Sequence, residues 1–327
     1  MKMKALQVVK PRTIIPVQAP IPRLNPESPD RLLIRTRWVS MCGSDIPFVT
    51  GSKRTTQYPL APGAPIHECV GQVVESTAEG FKPGSWVIAI PDGNQALAEY
   101  FVSQAARAVD LPDNIAVRDS SCLIQPLSTV INAVDRLGDI EGKSAAVVGL
   151  GSTGLFFCWL LKKRGAGRIV GIDPRVDRCR FAERLGASRA FPMRSIEVLH
   201  MMRQSPGEWE PPEIMIEAVG HQMDTLNHCF ELVQKRGLVI AFGVPDHPVY
   251  SIEFETFFRK NAVLMATVTP EWREYLAKAR DLYLTYQDEL APWVTHRMAI
   301  REAEKAFGLY ERQGDGIIKA VLDASAW

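Results

Sequence analysis

The sequence lacks several features that mark specialised classes of protein. No apolar run approaches the roughly 20 residues that a membrane-spanning helix needs. Positive and negative charges nearly balance, with 38 basic and 37 acidic residues. Because no strong positive charge is present, neither a nucleic acid nor an anionic membrane is predicted as a partner. The six cysteines include no Cys-x-x-Cys pair, which favours a reducing compartment over a disulfide framework. The first apolar stretch is interrupted too early, at Lys10-Pro11-Arg12, for a secretory signal. We therefore expect a soluble cytoplasmic protein.

Repeats and low-complexity tracts are also lacking, so the 327 residues have room for one large or two medium domains. Before residue 125, Pro and Gly separate short β-branched runs, at 31–36, 70–75 and 86–90 for example. This pattern is typical of a compact, strand-rich domain.

From residue 143 onward, strands and helices are predicted to alternate. Strands are expected at 145–150, 168–173, 214–218 and 238–242, and helices at 152–164, 175–185, 195–204 and 223–234. Such a series predicts an α/β fold with a parallel, doubly wound sheet. The remainder does not continue the alternation, because helices at 272–286 and 300–312 precede a final strand at 317–322.

A glycine-rich turn opens this alternating region, with Gly149, Gly151 and Gly154 in a G-x-G-x-x-G spacing. It follows a buried strand and leads into an apolar helix, which is the context that dinucleotide binding requires. Gly149 permits the tight turn, Gly151 lets the pyrophosphate approach, and Gly154 lets helix and strand pack closely. The helix beginning at Ser152 and Thr153 offers free N–H groups to the phosphates.

Asp173 ends the next predicted strand, about 20 residues after the turn, where an acid accepts hydrogen bonds from the ribose hydroxyls. It would also repel a 2′-phosphate, which favours NAD over NADP. Alternatively, Asp173 only caps the following helix. Arg175 and Arg178 keep NADP open as the lesser option; either arginine could instead stack on adenine or be solvated.

A second group of residues suggests a metal site. Cys42-Gly43-Ser44-Asp45 stands near the N-terminus, and His67-Glu68 follows further on. Cysteine and histidine are zinc ligands, and a carboxylate completes or supports such a set. Alone, Cys42 and His67 could equally be a buried thiol and a hydrogen-bonded histidine.

Together these motifs resemble the zinc-containing medium-chain alcohol and polyol dehydrogenases, in particular the sorbitol-dehydrogenase branch. Cys42-Gly43-Ser44-Asp45, His67-Glu68 and Gln125-Pro126-Leu127-Ser128-Thr129 are similar to motifs of that family. Ala218-Val219-Gly220, Phe242-Gly243-Val244, Val294-Thr295-His296 and the segment 317–322 follow in the family's order. The likeness runs almost end to end.

The resemblance implies a Rossmann domain inserted in a GroES-like, strand-rich catalytic domain. Residues 1–125 would form the first part of the catalytic domain, 126–264 the Rossmann NAD-binding domain and 265–327 the return to the catalytic domain. It also implies hydride transfer between NAD(H) and a secondary alcohol or ketone, of the polyol, sugar or cyclitol type. A homodimer or homotetramer is expected through the edge strand near 263–267.

Site residues follow from the same resemblance. Cys42 and His67 would bind zinc, with Glu68 as third ligand or close neighbour and Asp45 orienting His67, although Asp45 could equally be a local cap. Ser44 would relay the proton of the substrate, or only close its own turn. Cofactor contacts are expected from Thr129, Asp173, Arg178, Val219, Gly220, Phe242, Gly243, Val244 and Lys319. Lys319 would face the pyrophosphate; otherwise such a lysine is solvated.

The sequence departs from the family pattern in three places. Gln125 stands at the metal where relatives have Cys or Glu, and glutamine is a poor zinc ligand. Pro47 replaces a histidine that relays protons in many relatives. No cysteine lies between Cys69 and Cys122, where relatives commonly hold a structural zinc, so we predict one catalytic zinc and no structural zinc.

Two other hypotheses remain open. A metal-independent reductase of an activated alkene or quinone with the same fold would explain Gln125 and Pro47. A non-catalytic dinucleotide-binding protein would retain the glycine turn, but it would have no use for the thiol of Cys42 and the imidazole of His67.

Overall fold

The computed structural model describes residues 1–52, 56–112, 117–245, 247–267 and 270–327. The chain divides into two compact units, one comprising Met1–Ser128 and Glu271–Trp327, the other Thr129–Pro270. No helix among the described residues is long and apolar enough to cross a membrane.

The first unit is rich in strands, as the sequence predicts. Its strands are β1 (Lys2–Lys10), β2 (Thr13–Pro20), β3 (Arg31–Ser40), β4 (Glu68–Ser76), β5 (Trp86–Ala89), β6 (Tyr100–Gln104) and β7 (Ala108–Asp110). After the second unit come β14 (Val294–Ala299) and β15 (Lys319–Asp323). The helices are α1 (Ile46–Thr50), α8 (Trp272–Leu290) and α9 (Ala303–Arg312), and α2 (Ile124–Asp135) spans the boundary between the units.

One sheet with the order β14-β15-β3-β4-β5-β7 dominates this unit, and β6 also pairs with β3. The C-terminal strand β15 therefore lies directly beside β3. In the register, Ser40 of β3 stands opposite Glu68 of β4, and Val321 of β15 stands opposite Ser40. Three segments far apart in sequence consequently meet at one end of β3. The core beneath the sheet is apolar, with Ile34, Met41 and Ile66 fully buried.

The second unit contains the alternating elements. They are β8 (Ala145–Val148), α3 (Ser152–Lys163), β9 (Ile169–Ile172), α4 (Val176–Arg184), β10 (Arg189–Phe191), α5 (Ser195–Gln204), β11 (Ile214–Glu217), α6 (Asp224–Leu232), β12 (Leu238–Ala241), α7 (Phe254–Arg259) and β13 (Val263–Ala266).

Its six strands form one sheet in the order β10-β9-β8-β11-β12-β13, and every pairing between them is parallel. The central strands are buried throughout, as expected for a sheet covered by helices on both faces. The predicted Rossmann-type doubly wound sheet is thus confirmed. The chain leaves β8 toward β9 and later continues from β11 to β12 on the other side, so a topological switch point lies between β8 and β11.

Candidate active site

Cys42 and Asp45 lie in a single tight turn that follows β3. Residues Gly43–Asp45 form one 3-10 turn, and Oδ2 of Asp45 accepts a hydrogen bond from the backbone N–H of Cys42 at 2.9 Å. Asp45 is only 2% exposed. The carboxylate thus closes the turn, and the hydroxyl of Ser44, which is half-buried, is not needed for that role.

His67 lies immediately before β4, opposite this turn. Its Nδ1 is 2.9 Å from Oδ1 of Asp45, so the carboxylate of Asp45 contacts both the Cys42 backbone and the His67 ring. The sequence left two roles open for Asp45, a local cap of its own turn or a partner of His67, and Asp45 has both. A carboxylate at one ring nitrogen orients the other nitrogen toward a metal.

The donor atoms of Cys42, His67 and Glu68 lie within 4.8 Å of one another. Among the described residues this is the one group of three or more His, Cys, Asp or Glu side chains so arranged. Cys42 and His67 are partly exposed and Glu68 is buried. A thiol, an imidazole and a carboxylate at this spacing fit a zinc ion.

The charges around His67 also favour a cation. Burial lowers the pKa of His67, but the Asp45 carboxylate, followed by Cys42, outweighs burial and holds this pKa well above its usual value. The same negative field stabilises a metal ion bound at the imidazole in place of the proton.

Glu68 has two partners in the protein. Its Oε1 accepts a hydrogen bond from Nζ of Lys319 at 2.6 Å, and its Oε2 accepts one from the hydroxyl of Ser40. The ammonium of Lys319 also donates to the carbonyl of Met41 at 2.8 Å. Because Lys319 is completely buried, the alternative of a solvated lysine is wrong. Burial lowers the pKa of Lys319, but the Glu68 carboxylate more than offsets this and raises it above its ordinary value.

Gln125 and Pro47 lie near the starts of two helices. Gln125 is in the first turn of α2 and only 4% exposed, and its backbone carbonyl accepts the hydroxyl of Ser128 at 2.6 Å. Pro47 is in the first turn of α1, a position where a missing N–H costs little. Whether Gln125 binds the metal stays a prediction.

The glycine-rich turn has the geometry that its spacing predicts. Gly149 has a φ of +89°, which glycine adopts readily. A Cβ on Gly154 would lie 1.8 Å from the carbonyl oxygen of Gly149, so only glycine lets α3 pack this closely on β8. A Cβ on Gly151 would meet nothing within 4 Å, and the space beside it is open to a ligand. Helix α3 begins at Ser152 and Thr153.

Asp173 follows β9 and is 5% exposed. Its Oδ2 accepts the N–H of Leu150 in the glycine turn at 2.8 Å, and its Oδ1 accepts the N–H of Arg175 at 3.0 Å. Nη1 of Arg178 lies 3.6 Å from Oδ2 of Asp173. Asp173 therefore contacts both the helix start and the glycine turn. Arg178 is 9% exposed, which contradicts the alternative of a solvated side chain.

The loops after β11 and β12 pack against each other at Gly220 and Gly243. A Cβ on Gly243 would lie 2.1 Å from the backbone nitrogen of Gly220. Phe242 is buried against Phe157, with ring centroids 4.9 Å apart, and Val244 is 39% exposed.

Glu217 was missed by the sequence analysis. Its Oε1 accepts hydrogen bonds from the N–H groups of Val219 and Gly220, at 3.0 and 3.1 Å, and from the hydroxyl of Thr225 at 2.9 Å. Burial, only partly offset by these bonds, raises the pKa of Glu217. Glu217 thus fixes the loop after β11. Nothing in the local sequence distinguishes Glu217 from any other acidic residue at the end of a strand.

Comparison with known proteins identifies the family. Residues 28–113 match the alcohol dehydrogenase GroES-like domain, and residues 118–324 match the family described as glucose dehydrogenase C-terminus. The chain belongs to the zinc-type medium-chain dehydrogenases/reductases, and it is an oxidoreductase that uses a nucleotide cofactor and acts on the CH–OH group of a small-molecule alcohol.

Individual relatives are distant but cover most of the chain. An L-threonine 3-dehydrogenase from Caldanaerobacter subterraneus subsp. tengcongensis is 26% identical over 321 residues, which cover 90% of this chain and 91% of that protein. Alcohol dehydrogenase TADH from Thermus sp. ATN1 has a TM-score of 0.83 at 23% identity, covering 98% of this chain and 100% of that one. Galactitol-1-phosphate dehydrogenase from Escherichia coli has a TM-score of 0.80 at 18% identity, with coverages of 98% and 100%. The two structural likenesses show the shared fold.

Proposed function

We propose that this chain is a zinc-dependent dehydrogenase that transfers hydride between NAD(H) and a secondary alcohol or ketone of the polyol, sugar or cyclitol class. One observation carries the proposal: the donor atoms of Cys42, His67 and Glu68 lie within 4.8 Å of one another. Neither a metal-free reductase nor a non-catalytic dinucleotide-binding protein has a use for such a group.

The chain's own residues have distinct roles in this proposal. Zinc, when bound, lowers the pKa of an alcohol and polarises a carbonyl. Cys42 and His67 hold it, while Asp45 orients His67 and fixes the Cys42 turn. Lys319 restrains Glu68 and neutralises part of its charge, which makes Glu68 the weakest of the three donors. Ser44 takes the substrate proton, and because Pro47 has no N–H or side-chain proton to pass on, that proton goes to water or a ribose hydroxyl.

NAD is the proposed cofactor, with NADP the lesser option. The Asp173 carboxylate at the end of β9 favours ribose hydroxyls and repels a 2′-phosphate. Arg178 lies 3.6 Å from that carboxylate and weakens the repulsion, so we expect a preference rather than exclusion. Thr129 and the loops at 219–220 and 242–244 are proposed to contact the rest of the dinucleotide, whereas Lys319, expected there from the family resemblance, is buried and bound to Glu68 and Met41 instead.

The proposal includes one zinc ion per chain and no structural zinc. After β5 the chain reaches β6 through the short segment 90–99, which contains no cysteine. A structural zinc site of the thiolate type needs about four such ligands. Metal analysis that finds clearly more than one tightly bound zinc per chain would contradict this part of the proposal.

A homo-oligomer formed through β13 is also proposed. This strand is at the edge of the parallel sheet, and Val263 on it is 53% exposed. Helix α7, which precedes the strand in sequence, carries Phe254 at 64% and Phe258 at 66% exposure. An open sheet edge with large exposed apolar groups is normally covered, and a second copy of the chain offers the matching edge. Light scattering should give a multiple of the monomer mass, lowered by Val263→Lys.

The free state of all six cysteines supports a reducing compartment such as the cytoplasm.

The decisive experiment combines metal analysis with NAD reduction over a panel of polyols, sugars and cyclitols. Wild type should contain zinc and produce NADH with at least one compound, and Cys42→Ala should lose both zinc and activity. Cys229→Ala, which removes a fully buried thiol of the other unit, is the matched control and should retain zinc. Full turnover without zinc would support the metal-free reductase, and cofactor binding without turnover would support the non-catalytic protein.

A further inference from the structure

His221 has a backbone conformation that is uncommon for residues other than glycine. It follows Gly220 in the loop after β11, and its φ is +55°, in the left-handed region that residues other than glycine seldom occupy. The conformation is held from both sides, because the N–H of His221 donates to the carbonyl of Val244 at 3.0 Å and Glu217 binds the preceding N–H of Gly220. Strain that the surroundings maintain in this way is concentrated at functional sites.

The loop that carries His221 adjoins the glycine-rich turn. Strands β8 and β11 are neighbours in the sheet, and their carboxyl ends flank the topological switch point, where open α/β sheets bind their ligands. The two loops touch, because a Cβ on Gly149 would lie 2.7 Å from Cγ2 of Val219. His221 is therefore two residues from a side chain that packs on the turn expected to hold the pyrophosphate.

The imidazole of His221 has an unmet hydrogen-bonding group. The residue is half-buried, yet its Nδ1 is shielded from solvent and has no hydrogen-bond partner among the described residues. The two preceding N–H groups of the loop, those of Val219 and Gly220, are satisfied by the carboxylate of Glu217. A buried polar atom without a protein partner is costly and uncommon, so Nδ1 is available to hydrogen-bond a ligand atom.

We propose that His221 binds the dinucleotide, with Nδ1 hydrogen-bonded to an oxygen of the ribose–phosphate chain. The inference rests on the proposed cofactor function and adds to it a contact that is independent of the metal centre. Ribose hydroxyls and phosphate oxygens are both suitable partners, because the ring nitrogen can accept or donate according to its tautomer. The nicotinamide ring is not required for the contact.

The test measures the affinity of the purified full chain for NADH and for ADP-ribose. His221→Gly removes the imidazole and leaves a residue that favours the left-handed backbone, and we expect it to weaken both ligands about 3- to 10-fold. His221→Asn retains a short polar group and tolerates this φ, so it should recover most of the affinity. Arg236→Gly is the matched control, because Arg236 also has a positive φ of +61° but lies before β12, at the opposite end of the strands.

Thermal unfolding separates a binding role from a structural one. Because His221→Gly removes a strained residue and an unsatisfied group, the ligand-free variant should unfold at the same temperature as wild type or higher. Equal affinities for wild type and His221→Gly would overturn the proposal, as would a loss that comes with a lower unfolding temperature and is not recovered by asparagine. If wild type binds neither ligand, the proposed cofactor function itself fails, which is a distinguishable result.

Discussion

Nζ of Lys319 lies 2.6 Å from Oε1 of Glu68, and neither side chain is exposed to solvent. A buried ion pair of this kind holds its carboxylate in one position, because either charge left alone in the interior is strongly disfavoured. In this protein the carboxylate is also a donor of the candidate zinc site. The ion pair thus links the stability of the first unit to the ligand strength of Glu68.

Replacing Lys319 by methionine should therefore have two opposite effects. The metal-free protein should lose about 3–5 kcal/mol of unfolding free energy, because Glu68 is left buried and unpaired. Zinc should restore part of this loss, since the freed carboxylate becomes a stronger ligand. Urea unfolding with and without zinc measures both effects. Lys305→Met, at an exposed ion pair, should change stability by less than about 1 kcal/mol, and an equally small change for Lys319→Met would contradict the account.

Asp45→Asn tests the orientation of His67. The amide oxygen can still accept the N–H of Cys42, so the turn should survive, but the charge beside Nδ1 of His67 is lost. Zinc affinity should fall about 10- to 100-fold, measured by competition with a chelating dye. Asp92→Asn, at a half-buried ion pair with Arg31 on the same unit, should leave zinc affinity unchanged. An unchanged affinity in Asp45→Asn would show that the carboxylate does not act on the metal.

Two glycines of the dinucleotide turn should respond differently to alanine. Gly154→Ala places a Cβ 1.8 Å from the Gly149 carbonyl oxygen, and we expect it to destabilise the protein by about 1–3 kcal/mol or more. Gly151→Ala meets no protein atom within 4 Å and should leave stability nearly unchanged while weakening NADH binding. Thermal unfolding and NADH fluorescence measure the two effects. If Gly151→Ala bound NADH normally, the pyrophosphate could not lie against this turn.

Glu217 predicts a particular dependence of stability on pH. Burial raises its pKa in the folded protein, so the folded state binds this proton more tightly than the unfolded state. The contribution to stability is therefore present at low pH and falls as pH rises from the ordinary glutamate value through the raised one. Glu217→Gln should remove that fall while keeping an acceptor for the loop. The difference between the urea-unfolding free energies of variant and wild type, measured from pH 4 upward, should increase with pH; a flat or decreasing difference would contradict the assignment.

Local patterns predicted much of the second unit. The helix expected at 195–204 is observed as Ser195–Gln204, and the glycine spacing placed the start of α3 correctly. These features depend on residues that are close together in the sequence, so local patterns are enough to predict them. The predicted strands of the first unit are also present, although the hairpin of β1 and β2 was not anticipated.

The pairing of Lys319 with Glu68 could not be predicted, because the two residues are 251 positions apart and only the sheet order β15-β3-β4 brings them together. The family resemblance instead placed Lys319 at the pyrophosphate. Glu217 was missed for a different reason, since its partners are close in sequence but no local pattern distinguishes it from other acids at the end of a strand. Sequence motifs thus identified the donors Cys42 and His67, whereas their supporting contacts required the structure.

Zinc removal and reconstitution test the central claim most directly. The protein stripped with a chelator should still bind NADH but should not reduce NAD with an active polyol. Adding zinc back should restore activity in proportion to the metal bound, up to one ion per chain. Full activity in the stripped protein, or activity that does not follow zinc content, would contradict the account.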